Sequence, residues 1–187
     1  MWCKTCNIET NEELCPVCGS TTIEDIPTEV YWCAHCETPV IQAATQADKG
    51  FCPLCKRKMK YLSADLRPVF PEERLLLELL LGEKPFAYVE KSVWAANSRY
   101  YINGKSVSIP SKTFQEADTD ALFKMLEQNK GQNTYEYFDK HIASFINANK
   151  LRLHYLKDEA YTFIKKAAEK YDEEHIVLSF SGGKDST

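Results

Sequence analysis

The chain has 187 residues, 27% of them charged and 12% aromatic, with a formal net charge of −4 and a mean hydropathy of −0.41. An acidic balance does not predict long-range attraction to a phosphate backbone, and no run approaches the roughly 18 apolar residues of a membrane span. The N-terminal Met-Trp-Cys-Lys lacks the apolar h-region of a secretory signal, so a reducing, cytoplasmic setting is expected.

In chain order, cysteine-bearing units come first. All eight cysteines stand in C-x-x-C pairs, Cys3/Cys6, Cys15/Cys18, Cys33/Cys36 and Cys52/Cys55. Two residues between ligands is the spacing of a zinc knuckle, whose tight turn lets both thiolates reach one tetrahedral ion. The order repeats: Trp2-Cys3 and Cys15-Pro16-Val17-Cys18 are followed by Trp32-Cys33 and Cys52-Pro53-Leu54-Cys55. Two tandem four-cysteine zinc ribbons are predicted, over 1–26 and 27–62, with eight and fifteen residues between their knuckles. An interleaved pairing stays open, because fourteen residues also separate Cys18 from Cys33.

Three rival chemistries exist for such cysteines. A disulfide framework suits small secreted domains, and a redox-active C-x-x-C usually stands once, in a βαβ context. Rubredoxin-like iron shares the tetrahedral thiolate preference and is not separable by spacing. Two structural Zn2+ are the expectation, because four thiolates close the shell whereas a catalytic ion keeps one position for water.

Residues 1–62 carry six basic and eight acidic side chains. Each filled four-thiolate site adds −2, which takes the whole chain to about −8. Lys56-Arg57-Lys58-Met59-Lys60 is a local basic strip, read either as a solvated face balancing the thiolates or as a nucleic-acid contact.

Residues 63–116 are predicted as a linker, a helix and a small β module. Phe70 to Gly82 has proline near N1, acids in the first turn and glycine at C′. Its six leucines in seven positions call for burial on several sides, inside the fold or in a homo-oligomer interface. Strand formers follow at Phe86–Val89 and Ser92–Trp94, then a hairpin across Asn103-Gly104. The hairpin is similar to PUA-type RNA-binding domains, which would imply base stacking on Tyr100 and Tyr101; the alternative is that both serve core and cross-strand packing.

Residues 117–174 read as three helices. Asp118/Thr119 caps the first and Gly131 stops it; the second starts near Thr134 with Phe138, Ile142, Phe145 and Ile146 on one side. The third starts near Lys157 with a stripe from Ala160 to Tyr171, and an acidic turn ends in His175. His141 and His154 have no ligand spacing.

Residues 175–187 open a further domain. The apolar run Ile176–Phe180 enters Ser181-Gly182-Gly183-Lys184-Asp185-Ser186. Glycines let backbone N–H groups approach a phosphate. Leu178 and Asp185 do not fit the Walker pattern. The six residues resemble the pyrophosphate (PP) loop of the adenine-nucleotide α-hydrolase, or ATP pyrophosphatase, superfamily, and with Leu178-Ser179-Phe180 ahead they are most similar to the phosphoadenosine phosphosulfate (PAPS) reductase family. The resemblance implies that Ser181, Gly182, Gly183 and Ser186 contact pyrophosphate, that Lys184 supplies charge and that Asp185 is a polar or metal contact. It implies ATP or PAPS as the nucleotide, adenylyl or sulfur-transfer chemistry, and a place in sulfur metabolism.

The expected fold class is α+β: two zinc ribbons, a small β module, then helices leading into the first strand of an α/β PP-loop domain continuing past residue 187. The 187 residues are then the inactive N-terminal zinc-binding region of an enzyme. The competing reading is a zinc-ribbon module that binds nucleic acid or a protein partner.

Overall fold

A computed structural model describes residues 1–175 and 177, apart from residues 11, 25 and 133. The expected strand over 176–180, save Val177, and the loop Ser181–Ser186 lie outside the described residues. The chain divides into two units, Met1–Asn149 and Lys150–Thr187. The fold is mixed, with antiparallel sheets and five α-helices among the described residues. None of these helices is long and apolar enough to cross a membrane.

The first unit begins with two copies of one pattern. Strands β1 (Trp2–Cys3) and β2 (Ile8–Glu9) pair antiparallel, and Trp2 exchanges backbone hydrogen bonds of 2.6 and 2.8 Å with Ile23. Strands β3 (Thr28–Cys33), β4 (Thr38–Ala43) and β5 (Lys60–Ser63) repeat this in the order β4-β3-β5, with Trp32 opposite Lys60 where Trp2 was opposite Ile23. The residue after each knuckle has a positive φ: Asn7 at 54°, Gly19 at 70°, Glu37 at 50° and Lys56 at 61°. The left-handed residue reverses the chain so that both sulfurs of a knuckle face inward. Asn7 Nδ2 donates to Ala44 O at 2.7 Å, tying one ribbon to the other.

A second sheet follows. Strands β6 (Arg67–Pro68), β7 (Val93–Ala96), β8 (Arg99–Ile102) and β9 (Lys105–Val107) are antiparallel in sequence order, with helix α1 (Pro71–Leu80) between the first two. Every residue of β7 is buried, and alternation shows why. Val93 and Ala95 join Val69 and Leu77 in one core, while Trp94 and Ala96 join Trp32, Leu62 and Tyr101 in another. The second core takes Trp32 and Leu62 from the ribbon strands, so residues 27–62 and the sheet after them share one interior.

Asn103 and Gly104 form the β8–β9 turn with φ of 47° and 73°, as the hairpin pattern demands. Gly104 is required twice, since a Cβ there would lie 2.3 Å from Trp32 Cγ and Cδ1. Helix α1 carries Pro71 at N1 and is followed by Gly82 at φ 75°. Leu75 and Leu77 are buried, whereas Leu76, Leu79, Leu80 and Leu81 are half-buried.

The expected strand at Phe86–Val89 is instead a run of turns. Glu78, fully buried, accepts from Phe86 N at 2.6 Å and Tyr88 N at 2.8 Å, taking the donors a strand would need. Arg74 Nε lies 3.4 Å from the same carboxylate, and burial holds the guanidinium below its usual range.

Helix α2 (Ser111–Glu116) is a short turn of helix that the pattern did not announce. Helix α3 (Thr119–Asn129) has Asp118 as N-cap, accepting from Ala121 N at 3.0 Å, and ends in a tight turn over Lys130–Gln132. Helix α4 (Glu136–Ala148) sets Ile142 and Phe145 on the Trp32/Trp94 core, the Phe145 and Trp94 rings 5.0 Å apart, while Ile146 is exposed. Its end is fixed by Asn149, which accepts from Ile41 N at 2.6 Å and donates to Pro39 O at 3.0 Å.

In the second unit, helix α5 spans Lys150–Lys170, starting seven residues ahead of the expected Lys157. Asn149 supplies the break, so helical period resumes at once after it. On the expected stripe, Phe163 is 73% exposed and Ile164 58%.

Candidate metal centres

The eight thiols gather in sequence order into two groups, Cys3/Cys6/Cys15/Cys18 and Cys33/Cys36/Cys52/Cys55, with the four sulfurs of each within 4.8 Å of one another. The interleaved arrangement is not the one adopted. Sulfur–sulfur distances are 3.5 Å for Cys3–Cys18, 3.5 Å for Cys33–Cys55 and 3.9 Å for Cys36–Cys52. A disulfide would need about 2.05 Å, and all eight are free cysteines. A tetrahedron with metal–sulfur bonds of about 2.3 Å has edges of about 3.8 Å, close to these three distances, so the four sulfurs of each group can close on a divalent ion with small shifts. In each group the backbone N–H of the second cysteine donates to the first sulfur at 3.4 Å, Cys6 to Cys3 and Cys36 to Cys33.

The groups differ in surroundings. In the first, Cys3 and Cys15 are buried, Cys6 is half-buried and Cys18 is exposed; in the second no cysteine is exposed. Cys33 and Cys52 lie in a core with Val40, Met59 and Ala148.

Neighbouring groups set which thiols ionise. Cys18 is lowered to about 6, first by the Ser20 hydroxyl, 3.3 Å from its sulfur, then by the Ser20 backbone N–H. Cys6 is pushed up to about 12, first by its hydrogen bond to Cys18 and then by desolvation. In the second group Cys55 falls to about 7, first through the Arg57 backbone N–H, while Cys33 and Cys36 are raised by burial. Each group thus offers one thiolate near neutral pH and others that surrender a proton to an incoming cation.

Two supports were not legible as functional residues. Gln42, on the inward side of β4 with Thr38 and Val40, accepts from Gly50 N at 2.7 Å and donates to Phe51 O at 3.0 Å, which holds the Cys52 knuckle against the strand. A polar residue at an inward strand position is the available signal. Ser20 gave none, being one small polar residue in a turn.

The other expected sites resolve differently. Tyr101 is buried and its hydroxyl donates to Leu62 O at 3.1 Å; Tyr100 donates to Glu73 Oε1 at 3.0 Å. They serve core and sheet, and base stacking on them is set aside. His141 Nε2 sits 3.3 Å from Glu90 O, and His154 pairs with Asp158 at 3.2 Å. Asp172, Glu174 and His175 lie close together but are all exposed, a common arrangement for solvated acids. No protein-family model, curated protein or solved structure matches the chain.

Proposed function

We propose that residues 1–149 form a zinc-stabilised, non-catalytic module, with one structural Zn2+ on Cys3, Cys6, Cys15 and Cys18 and another on Cys33, Cys36, Cys52 and Cys55. The observation that carries this is the convergence of two tetrathiol groups, the four sulfurs of each within 4.8 Å of one another and three of the pairs at 3.5–3.9 Å. Four thiolates leave no coordination position for water, so the ions hold structure and do not turn over substrate. Elemental analysis and X-ray absorption test it: two zinc per chain with four sulfur neighbours at about 2.3 Å is expected. One metal, iron, or oxidised cysteines would refute it.

For residues 176–187 the proposal rests on the motif. The loop Ser181-Gly182-Gly183-Lys184-Asp185-Ser186 is proposed to bind the pyrophosphate of ATP or PAPS in a PP-loop domain of the PAPS reductase kind, to which the metal-stabilised module is attached. In an enzyme built around that loop, Gly183→Val and Lys184→Ala abolish nucleotide binding measured by isothermal titration. Unchanged binding in both variants would remove the loop from the site.

A further inference from the structure

The basic strip beside the second metal group is the strongest charged feature that the proposed function leaves unused. Lys56, Arg57, Lys58 and Lys60 are all exposed, and no acid occurs between residues 50 and 62. Some cations elsewhere are paired, Lys49 with Glu29, Arg67 with Glu73, Lys112 with Glu116 and Lys140 with Glu136; what sets the strip apart is four exposed cations within five residues. The four strip cations make no ion pair among the described residues.

The strip is also held in place. Lys56 occupies the left-handed turn at φ 61°, the Arg57 backbone N–H bonds Cys55, and Arg57 Nη1 lies 2.9 Å from His35 Nδ1 on the opposite knuckle. Lys58 and Lys60 flank buried Met59 and are both exposed, the alternation expected of extended backbone with Met59 facing inward. Phe51 is directly opposite Lys58 in an antiparallel bridge, the pairing that sets two side chains on one face, and it is 47% exposed. Thiolates lie beneath and cations outside, so the face presented to solvent is positive although the chain is acidic.

We infer that this face of the second ribbon binds single-stranded nucleic acid, with Lys56, Arg57, Lys58 and Lys60 on successive phosphates and Phe51 stacked on a base. Lysines two strand residues apart match the repeat of an extended phosphate backbone, and an uncovered ring beside them supplies the stacking platform that a plain polyanion site lacks. An acidic peptide would satisfy the cations and leave the ring unused. The inference rests on the ribbon being metal-loaded as proposed above.

The test uses the full chain with its metal content measured first, and fluorescence anisotropy of labelled oligo(U) and oligo(dT) at several salt concentrations. Binding with a log–log salt slope of about −3 is expected for four phosphate contacts on a single strand. Lys58→Glu with Lys60→Glu should weaken affinity at least tenfold and flatten the slope by about half, as two of four contacts go. Phe51→Ala should weaken it about fivefold or more with the slope unchanged, because stacking releases no counterions. Zinc content and near-ultraviolet circular dichroism confirm that each variant is folded. Absence of binding to both, indifference to the charge reversals, or equal binding of polyglutamate overturns the inference. Two zinc per chain without nucleic-acid binding refutes this inference alone; metal-free protein refutes the metal assignment on its own.

Discussion

Gly104→Ala should destabilise the first unit more than any other glycine-to-alanine change at a comparable backbone angle. The residue sits at φ 73°, and left-handed backbone costs alanine roughly 1–2 kcal/mol. The added Cβ would also lie 2.3 Å from two atoms of the Trp32 indole, which is buried in the core with Leu62, Trp94 and Tyr101 and has nowhere to retreat. Overpacking of this kind costs about 1–3 kcal/mol, so the total is about 2–5 kcal/mol. Gly82 provides the control, with φ 75° and nothing within 4 Å of its would-be Cβ. Gly82→Ala therefore carries the backbone term alone, and the two variants should differ by about 1–3 kcal/mol. Urea unfolding of metal-loaded protein, followed by circular dichroism and tryptophan fluorescence, measures both. Trp32 adjoins Cys33, so Gly104→Ala should also speed metal loss from the second group and leave the first unchanged. Equal destabilisation by the two substitutions would refute the packing argument.

Three further substitutions probe the supports. Asn149→Ala removes the acceptor of Ile41 N–H and the donor to Pro39 O, and should cost about 1–3 kcal/mol, with faster hydrogen exchange at Ile41 as the local sign. Glu78→Ala leaves Arg74 without its carboxylate and strips two backbone donors of their acceptor, a loss of about 3–5 kcal/mol in urea unfolding; Glu78→Gln, which keeps an acceptor, should lose less. Ser20→Ala takes away the hydroxyl that lowers Cys18, so that thiol should titrate above 6 and the first group should bind zinc more weakly at pH 7, by tenfold or more. Competition with a colorimetric chelator reads the difference, which should shrink as pH rises and Cys18 ionises unaided.

Local chemistry made part of this fold legible. Cysteine spacing, the Asn-Gly hairpin, proline at the start of α1 and the Asp118 cap each act over a few residues, and each has its counterpart in the structure. What could not be read depends on residues far apart in sequence. Phe86–Val89 has strand composition, yet Glu78 on the preceding helix captures its N–H groups. Asn149 looks like an ordinary helix residue until Ile41 and Pro39, more than 100 positions earlier, are seen to need its side chain. Tyr100 and Tyr101 alternate as a hairpin should, but only the partners Glu73 and Leu62 decide that neither ring is free. The cysteines gave the candidate ligands, while Gln42 and Ser20, which position them and tune their charge, lacked a spacing to betray them.

The two metal groups should not empty together, although their ligand spacing is the same. The first leaves Cys18 exposed, and its ribbon rests on short strands with few apolar neighbours. The second is backed by Val40, Met59 and Ala148, and through Trp32 it joins the interior of the following sheet. Metal binding is folding free energy in so small a ribbon, so removing the first ion should melt little beyond residues 1–26. Removing the second must loosen the packing around Trp32, Trp94 and Phe145 as well. A graded chelator titration should therefore show one ion leaving with a small change in circular dichroism. The second should follow at higher chelator concentration, with a cooperative loss of structure and a red shift of buried tryptophan emission. Simultaneous release of both ions, or release of the second without any change in tryptophan emission, would mean that the shared core does not couple ribbon to sheet.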